Sequence, residues 1–400
     1  MSRLNGERVL VRDAALADGR SSRLTLGVSL LVENGLVAGL WTDGDEPAAA
    51  QVRDVPVIDG SGATIVPGMV DSHAHLAFPG GGRWVERVLD PPEELVQVAE
   101  ENGELLVRAG VRWARDVGAP RWHDPDVGAD RALNLTLRDR WQGRADRPYL
   151  RAAGTWISRK GSMLPGLMIE VEHAADLVTA VNQQLDEGAD LVKIYLDGPD
   201  PAAAPFSAAE LRAAVEAAHE RGAKVAAHGT LLAGNRVGAE AGIDSLEHGN
   251  ELDLDTVRVM KRNGVTLVAT MAVWKSRAGF AGTTRGDFSG PAAEKREAAL
   301  RETVGASFRL AYAEGVTIAA GTDSGGGSPR ANHLAWEVEA LVEGGMRAED
   351  ALAAVTWRGG DLMGVPEAGR LVAGGPAHFS LVHGDPLSDP ASLWRVWLTR

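Results

Sequence analysis

The 400-residue sequence contains no cysteine. A chain without cysteine can form no disulfide, and it has no thiolate to offer to a metal ion. Any metal that this protein binds must therefore be held by imidazole, carboxylate or modified side chains. Such a donor set favours zinc, with manganese or iron as further options.

An excess of positive charge is also missing. The chain has 41 Lys and Arg against 55 Asp and Glu, which gives a formal net charge of −14. Nucleic acid is therefore excluded as a partner, because neutralising phosphates requires clustered Lys and Arg. No apolar run has membrane-spanning length, and the first eight residues lack the apolar core of a signal peptide. We expect a cytoplasmic protein that acts on a small molecule without membrane contact.

The composition that remains is that of an ordinary globular enzyme. Hydrophobic residues make up 44% and charged residues 24% of the chain. A length of 400 residues favours one large domain with a smaller appendage. The sequence leaves the oligomeric state open and is compatible with a homo-oligomer.

Both chain ends have the pattern of short β-strands. Residues 8–12, 29–33 and 36–40 are strand-like, and Asn34-Gly35 is a strong two-residue hairpin signal. Another strand is predicted at 377–382. We predict that the two ends share one sheet, in a small discontinuous β-sandwich domain of residues 1–62 and 366–400.

The central region, residues 63–365, alternates strands with helices. Helical periodicity is evident at 174–185, at 207–221 with a Ser207/Glu210 capping box, and at 291–314. Eight such units imply an α/β fold with a parallel sheet, closed as a (β/α)₈ TIM barrel. The predicted strands are 63–70 continuing into 71–75, 111–117, 148–153, 190–195, 223–228, 243–248, 265–270 and 316–323.

The first of these strands carries the motif Asp71-Ser72-His73-Ala74-His75. Alternate residues of a strand point to the same face, so His73 and His75 project together and could hold one metal ion. On its own the motif is weak, since two histidines at a strand end are equally compatible with ordinary surface residues.

Further polar residues fall at the same end of other predicted strands. Lys193 lies late in the fourth strand, His228 and His248 end the fifth and sixth, and Asp323 ends the eighth. The carboxyl ends of barrel strands form one rim, where the active sites of such barrels lie. Together with His73 and His75, these residues predict a metal site on that rim.

The sequence resembles the amidohydrolase superfamily, in particular the branch with two metal ions bridged by a carboxylated lysine. It is most similar to imidazolonepropionase-like and Xaa-Pro dipeptidase (prolidase-like) amidohydrolases. The resemblance spans nearly the whole chain. It is carried by residues 66–76, Ala114-Arg115-Asp116-Val117-Gly118, Val192-Lys193-Ile194-Tyr195, Leu246-Glu247-His248-Gly249 and Gly321-Thr322-Asp323-Ser324.

This resemblance implies a ligand set and a reaction. His73, His75 and Asp323 would hold one divalent metal, His228 and His248 the other, and the carbamate formed from Lys193 and carbon dioxide would bridge them. A metal-bridging hydroxide would attack an amide bond, with Asp323 as general base and acid. Dipeptides and N-acyl amino acids are the expected substrates.

The apolar neighbours of Lys193 support the carbamate on chemical grounds. Leu191, Val192 and Ile194 make a charged ammonium costly, so the pKa of Lys193 should fall and its neutral amine can add carbon dioxide.

Several other residues are secondary candidates. Tyr195 could donate to a developing oxyanion, His333 could contact substrate or instead begin a helix, and Arg277 could bind a substrate carboxylate. Residues 275–286 are Gly-rich and basic and predict a mobile lid. Arg115-Asp116 is interpreted as a structural pair beneath the site. Residues 161–166 lack the histidine that relatives carry there, so we expect a different substrate contact at that position.

Three alternatives remain at the level of sequence. A lactonase or esterase could use the same binuclear site. A mononuclear cyclic-amidine deaminase is disfavoured, because the HxxE glutamate expected three residues after His228 is Leu231. A non-catalytic scaffold is disfavoured by the presence of all six metal-ligating residues.

Overall fold

The computed structural model describes residues 8–42, 45, 47–48, 52–162, 166–280, 282–285 and 288–400. The strands are β1 (Arg8–Leu16), β2 (Thr25–Glu33), β3 (Leu36–Trp41), β4 (Val57–Asp59), β5 (Ala63–Pro67), β6 (Met69–Ala74), β7 (Val111–Asp116), β8 (Arg121–Asp124), β9 (Ala129–Ala132), β10 (Tyr149–Ala152), β11 (Ile157–Arg159), β12 (Ile169–Val171), β13 (Leu191–Tyr195), β14 (Lys224–Gly229), β15 (Ser245–His248), β16 (Thr266–Val268), β17 (Ile318–Ala319), β18 (Phe379–His383) and β19 (Val396–Thr399). The helices are α1 (Trp84–Arg87), α2 (Pro92–Arg108), α3 (Leu133–Trp141), α4 (Ala174–Asp186), α5 (Ala208–Glu220), α6 (Leu232–Ala241), α7 (Leu254–Asn263), α8 (Ala272–Ala278), α9 (Gly290–Ala313), α10 (Leu334–Glu343), α11 (Ala348–Ala354) and α12 (Trp357–Met363), with a 3₁₀ turn at Pro390–Trp394.

Strands from the two ends of the chain share one sheet, as the sequence predicts. Its order is β19-β18-β5-β1-β2-β3, with β4 paired to β1. The hairpin between β2 and β3 turns at Asn34 and Gly35, whose φ angles of 51° and 79° are those that an Asn-Gly turn requires. β18 runs antiparallel to β5, which fastens the end of the chain to the beginning of its central region.

The apolar run predicted as one continuous strand is divided at Gly68. β5 belongs to the sheet of the chain ends, whereas β6 belongs to a central parallel sheet. The Gly68 amide donates to the His378 carbonyl at 2.7 Å. A Cβ at Gly68 would lie 2.9 Å from Arg112 Cγ, so the backbone passes between the two sheets where a side chain has no room.

The eight predicted central strands correspond to β6, β7, β10, β13, β14, β15, β16 and β17, and the α/β fold class is confirmed. They lie in two parallel sheets, β10-β7-β6 and β12-β11-β13-β14-β15-β16-β17. Backbone bonds join the outer edges of these sheets, from Ser72 N to Ala320 O (2.9 Å) and from Asp323 N to His73 O (2.8 Å). The first and last strands of the series therefore lie side by side.

β17 is much shorter than the predicted strand at 316–323. Asp323 has a φ of 54°, which ends the extended conformation. The preceding Thr322 donates its backbone N–H and its hydroxyl to the carboxylate of Asp71, at 3.0 and 2.7 Å. Side-chain bonds to β6 thus supplement the backbone bonds between β6 and residues 320–323.

The predicted helices are present within a residue or two of their expected bounds. α5 begins with the predicted capping box, in which Ser207 and Glu210 exchange hydrogen bonds. The prediction of a mobile loop at 275–286 is wrong for its first part, because Lys275 and Arg277 lie in α8. Residues 281 and 286 of that segment lie outside the described residues. Trp274 and Ser276 are buried, which fixes the helix against the rest of the molecule.

Within the described part of the chain, no helix has both the length and the apolar character needed to cross a bilayer. The N-terminal stretch considered for a signal peptide falls mostly in residues 1–7, outside the described ranges.

A buried carboxylate in α10 anchors the beginning of α8. Glu337 is fully buried, and its Oε2 accepts from the Ala272 N–H at 2.6 Å. Burial raises the pKa of Glu337 to about 8, although hydrogen bonds from Ala272 and Met271 oppose the shift. At neutral pH the folded protein therefore holds a proton here that the unfolded chain releases.

We expect Glu337→Gln to flatten the pH dependence of stability. Because the folded pKa is raised, the stability contributed by this group is present below its unfolded pKa of about 4.5 and is lost as the pH rises toward 8. Urea unfolding should show the wild type losing more unfolding free energy than the variant between pH 5.5 and 8, by at most about 1.4 kcal/mol per pH unit. Glu343→Gln, an exposed change on the same helix, is the control and should keep the wild-type slope. Parallel profiles for wild type and Glu337→Gln would contradict this assignment.

Candidate metal centre and active-site cavity

The six predicted metal ligands lie together at the carboxyl ends of the central strands. His73 is in β6 and His75 follows it, Lys193 is in β13, His228 is in β14, His248 ends β15, and Asp323 follows β17. Ring centroids are separated by 5.2 Å for His73 and His75, 4.9 Å for His73 and His248, and 4.6 Å for His228 and His248. Asp323 Oδ1 lies 3.3 Å from His73 Nε2 and 3.5 Å from His75 Nε2.

The tightest group of potential ligand atoms consists of His73, His248 and Asp323. One ligand atom from each lies within 4.8 Å of the others. This group crosses the predicted division, which assigns His73 and Asp323 to one metal and His248 to the other. The structure brings the ligands into one cluster, and their division between two ions stays a prediction.

Three of the histidines present Nε2 to the centre because their Nδ1 atoms are already bonded. His73 Nδ1 lies 2.6 Å from Glu247 Oε2, and His75 Nδ1 donates to the Gly118 carbonyl at 2.8 Å. His248 Nδ1 lies 2.8 Å from the Thr270 hydroxyl. Outer partners of this kind fix the ring orientation of metal-binding histidines.

Burial keeps these imidazoles neutral. It lowers the pKa of His73 and His248 well below the usual range and that of His75 to about 3. Neutral imidazole is the form that binds a metal, so no proton has to be displaced at neutral pH.

Lys193 is fully buried beside this cluster, and its Nζ has no hydrogen-bond partner in the described part of the structure. Burial lowers the pKa of Lys193 to about 8, although the nearby carboxylate of Glu247 opposes the shift. The expected fall in the lysine pKa is thus confirmed. A buried amine without a partner is costly as an ammonium, and the neutral amine is the form that reacts with carbon dioxide.

Glu247, which the sequence analysis does not single out, lies directly beneath the cluster. Its carboxylate contacts His73 on one side and accepts from Arg115 Nη2 at 2.6 Å on the other. The predicted Arg115–Asp116 pair is wrong, because neighbouring strand residues point to opposite faces. Asp116 instead accepts from the backbone N–H groups of Leu76 and Gly118. A carboxylate in a predicted strand, directly before the candidate ligand His248, was the available signal for Glu247.

Two more outer residues are missed by the sequence analysis. Asp197 Oδ2 lies 3.1 Å from His228 Nε2. Burial alone would raise the pKa of Asp197, but its hydrogen bonds with His228 and Thr230 outweigh that effect and lower it. Continuing the strand alternation from Lys193 through Tyr195 would have pointed to Asp197. Thr270 ends the predicted seventh strand, so a search of the carboxyl ends of the strands would have found it as well.

Backbone strain is concentrated at this centre. Of the six described non-glycine residues with positive φ, three belong to it: His248 (72°), Thr270 (49°) and Asp323 (54°). Such conformations cost roughly 1–3 kcal/mol each and persist where the surroundings enforce them. Gly326 packs against the same cluster, since a Cβ there would lie 2.1 Å from His75 Cδ2 and 2.7 Å from Asp323 Oδ1. The Gly325-Gly326-Gly327 segment therefore packs directly against the candidate ligands.

A cavity of about 270 Å³ opens above the cluster. His75, His228, His248 and Asp323 form part of its lining, while its other walls are largely apolar. Phe78 and Trp156 stack in one wall with ring centroids 6.0 Å apart. The remaining apolar lining residues are Trp84, Val88, Leu167, Val273 and Trp274.

The secondary candidates have different positions relative to this cavity. Tyr195 lines it and stacks on His228 at 4.2 Å. Arg277 also lines it, packed over Trp274 at 5.2 Å and Phe288 at 5.6 Å. His333 precedes α10 instead, where its Nδ1 accepts from the Arg330 N–H at 3.1 Å, and it is not among the described residues lining the cavity.

Two further sequence expectations concern residues 275–286 and 161–166. Lys275 forms ion pairs with Glu339 (2.9 Å) and Glu343 (2.5 Å), which neutralise its charge. It is not among the described residues that line the cavity. Residues 163–165, in the segment that lacks the histidine of relatives, lie outside the described residues.

The donor set suits divalent cations. It offers neutral imidazole nitrogens, a carboxylate oxygen and a buried lysine that can become an anionic carbamate, all of them ligands that zinc, manganese or iron accept. The buried Nε2 of His73 and Nζ of Lys193 both lack hydrogen-bond partners within the described residues. A bound metal and a carbamate would satisfy these two atoms.

Comparisons with known proteins find similar sequences and similar folds. A sequence profile of the amidohydrolase family matches residues 64–398. An uncharacterised protein of Mycobacterium tuberculosis is 31% identical over 311 residues, which cover 76% of each chain. The imidazolonepropionase of Chromobacterium violaceum is 29% identical over 378 residues, 87% of this chain and 83% of that one. A crystal structure of a Xaa-Pro dipeptidase with methionine in its active site has a TM-score of 0.81, 24% identity and 98% coverage of both chains.

We expect Glu247→Gln to weaken metal binding by about 10–100-fold, because His73 loses its anionic partner and Arg115 its counter-charge. Titration with a competing chelator, followed by elemental analysis of the protein, measures this affinity. Glu251→Gln makes the same chemical change at an exposed position in the segment after β15 and should retain the wild-type affinity. Unchanged metal binding in Glu247→Gln would show that this carboxylate does not orient the ligand.

Proposed function

The chain belongs to the amidohydrolase family and is a hydrolase of C–N bonds, and from this premise we propose that it cleaves the amide bond of a dipeptide or an N-acyl amino acid. The proposed centre contains two divalent cations, zinc in the first instance. His73, His75, His228, His248 and Asp323 would hold the cations, and carboxylated Lys193 would bridge them.

The observation that carries this proposal is the position of Lys193. Its Nζ is fully buried without a hydrogen-bond partner among the described residues, and the carboxylates of Glu247 and Asp323 act on it electrostatically. An ordinary structural lysine at such a position would be expected to pair with a carboxylate. Carboxylation would turn this unsatisfied amine into an anionic metal ligand.

Asp323 is the proposed proton carrier. Two cations bound here would lower the pKa of a water nucleophile and polarise the substrate carbonyl. Asp323 Oδ1 lies among the Nε2 atoms of His73 and His75, and its side chain lines the cavity. Burial raises the pKa of Asp323 to about 7, although Lys193 opposes the shift. A carboxylate at this position can accept the proton of the attacking water and deliver it to the leaving amide nitrogen.

Tyr195 is the proposed donor to the carbonyl oxygen. It lines the cavity, and its ring is held by stacking on His228. Burial raises the pKa of Tyr195 above its usual range, so the phenol stays protonated and can donate. A fixed donor aimed at developing negative charge stabilises the transition state more than the ground state.

The cavity favours a substrate with an apolar body and one negative charge. Its walls are mainly aromatic and aliphatic, and Arg277 is the cation in its described lining. Arg277 Nε is buried without a hydrogen-bond partner among the described residues, and the nearest carboxylate, that of Glu297, is 3.6 Å from Nη1. A substrate carboxylate would find an incompletely satisfied guanidinium there.

The fold that we propose for this activity is a closed (β/α)₈ barrel with a β-sandwich formed by both chain ends. The backbone bonds between β6 and residues 320–323 support closure, because they bring the first strand beside the last. Closure would place all six ligands around one rim.

We expect Lys193→Ala to reduce the metal content from about two cations per chain to one or fewer, and to abolish most amide hydrolysis. Short carboxylic acids such as acetate and propionate should restore both in part, because they can replace the bridging carbamate. Lys224→Ala, in the adjacent strand, is the matched control. Its Nζ donates to the carbonyls of Asp361 and Leu362, far from the cluster, so metal content should stay unchanged.

The same assays separate the competing reactions. Elemental analysis gives the metal content, and N-acyl amino acids, dipeptides and lactones are compared as substrates. Full activity in Lys193→Ala would refute the bridge. Faster turnover of lactones than of amides would reassign the enzyme as a lactonase, and release of ammonia from cyclic amidines would reassign it as a deaminase.

We expect Arg277→Met to raise the KM for N-acyl amino acids by about tenfold or more with a smaller effect on kcat, because a charge-assisted bond to the substrate carboxylate is lost. The corresponding N-acyl amino acid amides, which lack that carboxylate, should show little change. Lys275→Met, two residues earlier in α8, is the control and should behave as wild type with both substrates. Equal effects of Arg277→Met on the acids and their amides would argue against a carboxylate-binding role.

A further inference from the structure

A second, larger cavity lies at the opposite ends of the central strands. Its volume is about 490 Å³, and its lining includes Arg112, Trp113 and Tyr149. Arg112 and Trp113 lie near the beginning of β7, and Tyr149 begins β10, whereas the metal centre lies where the parallel strands end. His378, which precedes β18 in the sheet of the chain ends, completes one side. The cavity is therefore separate from the proposed catalytic site.

Aromatic rings form the inner walls of this second cavity. The Trp113 ring lies 5.3 Å from that of Tyr149 and 5.5 Å from that of His378, measured between centroids. Trp113 is only 6% exposed, whereas Tyr149 is 44% exposed. The buried Trp113 ring is held in place by its surroundings, whereas the Tyr149 ring is accessible from solvent. Such a wall suits a flat apolar group.

Arg112 supplies a charge to this cavity that no carboxylate neutralises directly. It is only 5% exposed, and its Nη1 donates to the Ala145 carbonyl at 2.9 Å. Its Nε is buried without a hydrogen-bond partner, and within the described residues Arg112 makes no ion pair. Asp146 is the carboxylate that acts on Arg112 electrostatically, and it is already paired with Arg144 and Arg147.

The other charges that line the cavity are paired with one another or with nearby carboxylates. Arg138 pairs with both lining carboxylates, Asp139 (2.8 Å) and Asp190 (3.1 Å). Arg144 and Arg147 each contact Glu100, at 3.6 and 2.7 Å. Among the described residues that line the cavity, the guanidinium of Arg112 is therefore the charge without a paired carboxylate. Burying such a charge without an anionic partner is costly, and a bound anion would remove that cost.

We propose that this second cavity is a binding site for a small planar aromatic monocarboxylate. The carboxylate meets the guanidinium of Arg112, and the ring packs against Trp113 and Tyr149. One unpaired cation selects one negative charge, and the aromatic wall selects a flat ring. A volume of about 490 Å³ is in the range of small-molecule sites. The site is independent of the proposed catalysis, since none of the metal ligands lines it.

Isothermal titration of the full-length, metal-loaded protein with benzoate and 2-naphthoate tests this proposal. Benzyl alcohol, which keeps the ring but lacks the charge, is the ligand control. We expect both acids to bind at least about tenfold more tightly than the alcohol. Arg112→Met keeps the length of the side chain without its charge. It should weaken the binding of both acids by a similar factor and leave the affinity for the alcohol unchanged.

Two further variants locate the binding. Tyr149→Ala changes a partly exposed wall residue and should weaken the binding of 2-naphthoate more than that of benzoate. This variant tests the proposal even if Arg112→Met folds poorly. The proposed catalytic cavity also favours an apolar carboxylate, so Arg277→Met should remove any acid binding there and leave the binding that depends on Arg112. The proposal is overturned if the wild type shows no acid binding that Arg112→Met or Tyr149→Ala weakens and Arg277→Met retains.

Discussion

The carboxylate of Glu247 is the charge on which the centre of this molecule depends. It is fully buried, and it lies between the guanidinium of Arg115 and the imidazole of His73. Arg115 also donates to the Ser72 carbonyl at 2.6 Å, in the strand that carries His73. An isolated charge in this interior would cost several kcal/mol, so each member of the group needs the others. Strands β6, β7 and β15 are thereby held at fixed positions below the ligands.

A second buried carboxylate positions the other side of the centre. Asp71 accepts from the His73 N–H at 3.2 Å and from both the backbone and the hydroxyl of Thr322. Thr322 immediately precedes Asp323, so this contact fixes a metal-ligand candidate against the strand that carries two others. Two buried carboxylates, one below His73 and one between the first and last strands, thus give the cluster its geometry. Preorganisation of this kind lets a site bind cations without rearranging its backbone.

The sequence predicts that the candidate ligands lie together, and the signals for this prediction are local. Each candidate ligand lies at or next to the end of an apolar segment, and strand alternation together with the rim of a parallel sheet places them close together. The same rules reach Asp197 and Thr270, but they assign no role to these residues or to Glu247, because that role depends on contacts with histidines of other strands. The division at Gly68 is missed for a similar reason. An apolar run has no pattern that shows where it leaves one sheet for another, and only the close approach of Arg112 and His378 decides it.

The pairing of β5 with β18 links the construction of the metal centre to the order of synthesis. His73 and His75 leave the ribosome long before residues 379–383, with which the strand that leads into them pairs. Contacts between residues so far apart in sequence form late and slowly. During translation, His73 and His75 are therefore present before the β5–β18 pairing that supports their strand has formed. We expect the ability to retain metal at the proposed centre to be acquired only after residues 379–383 have been made.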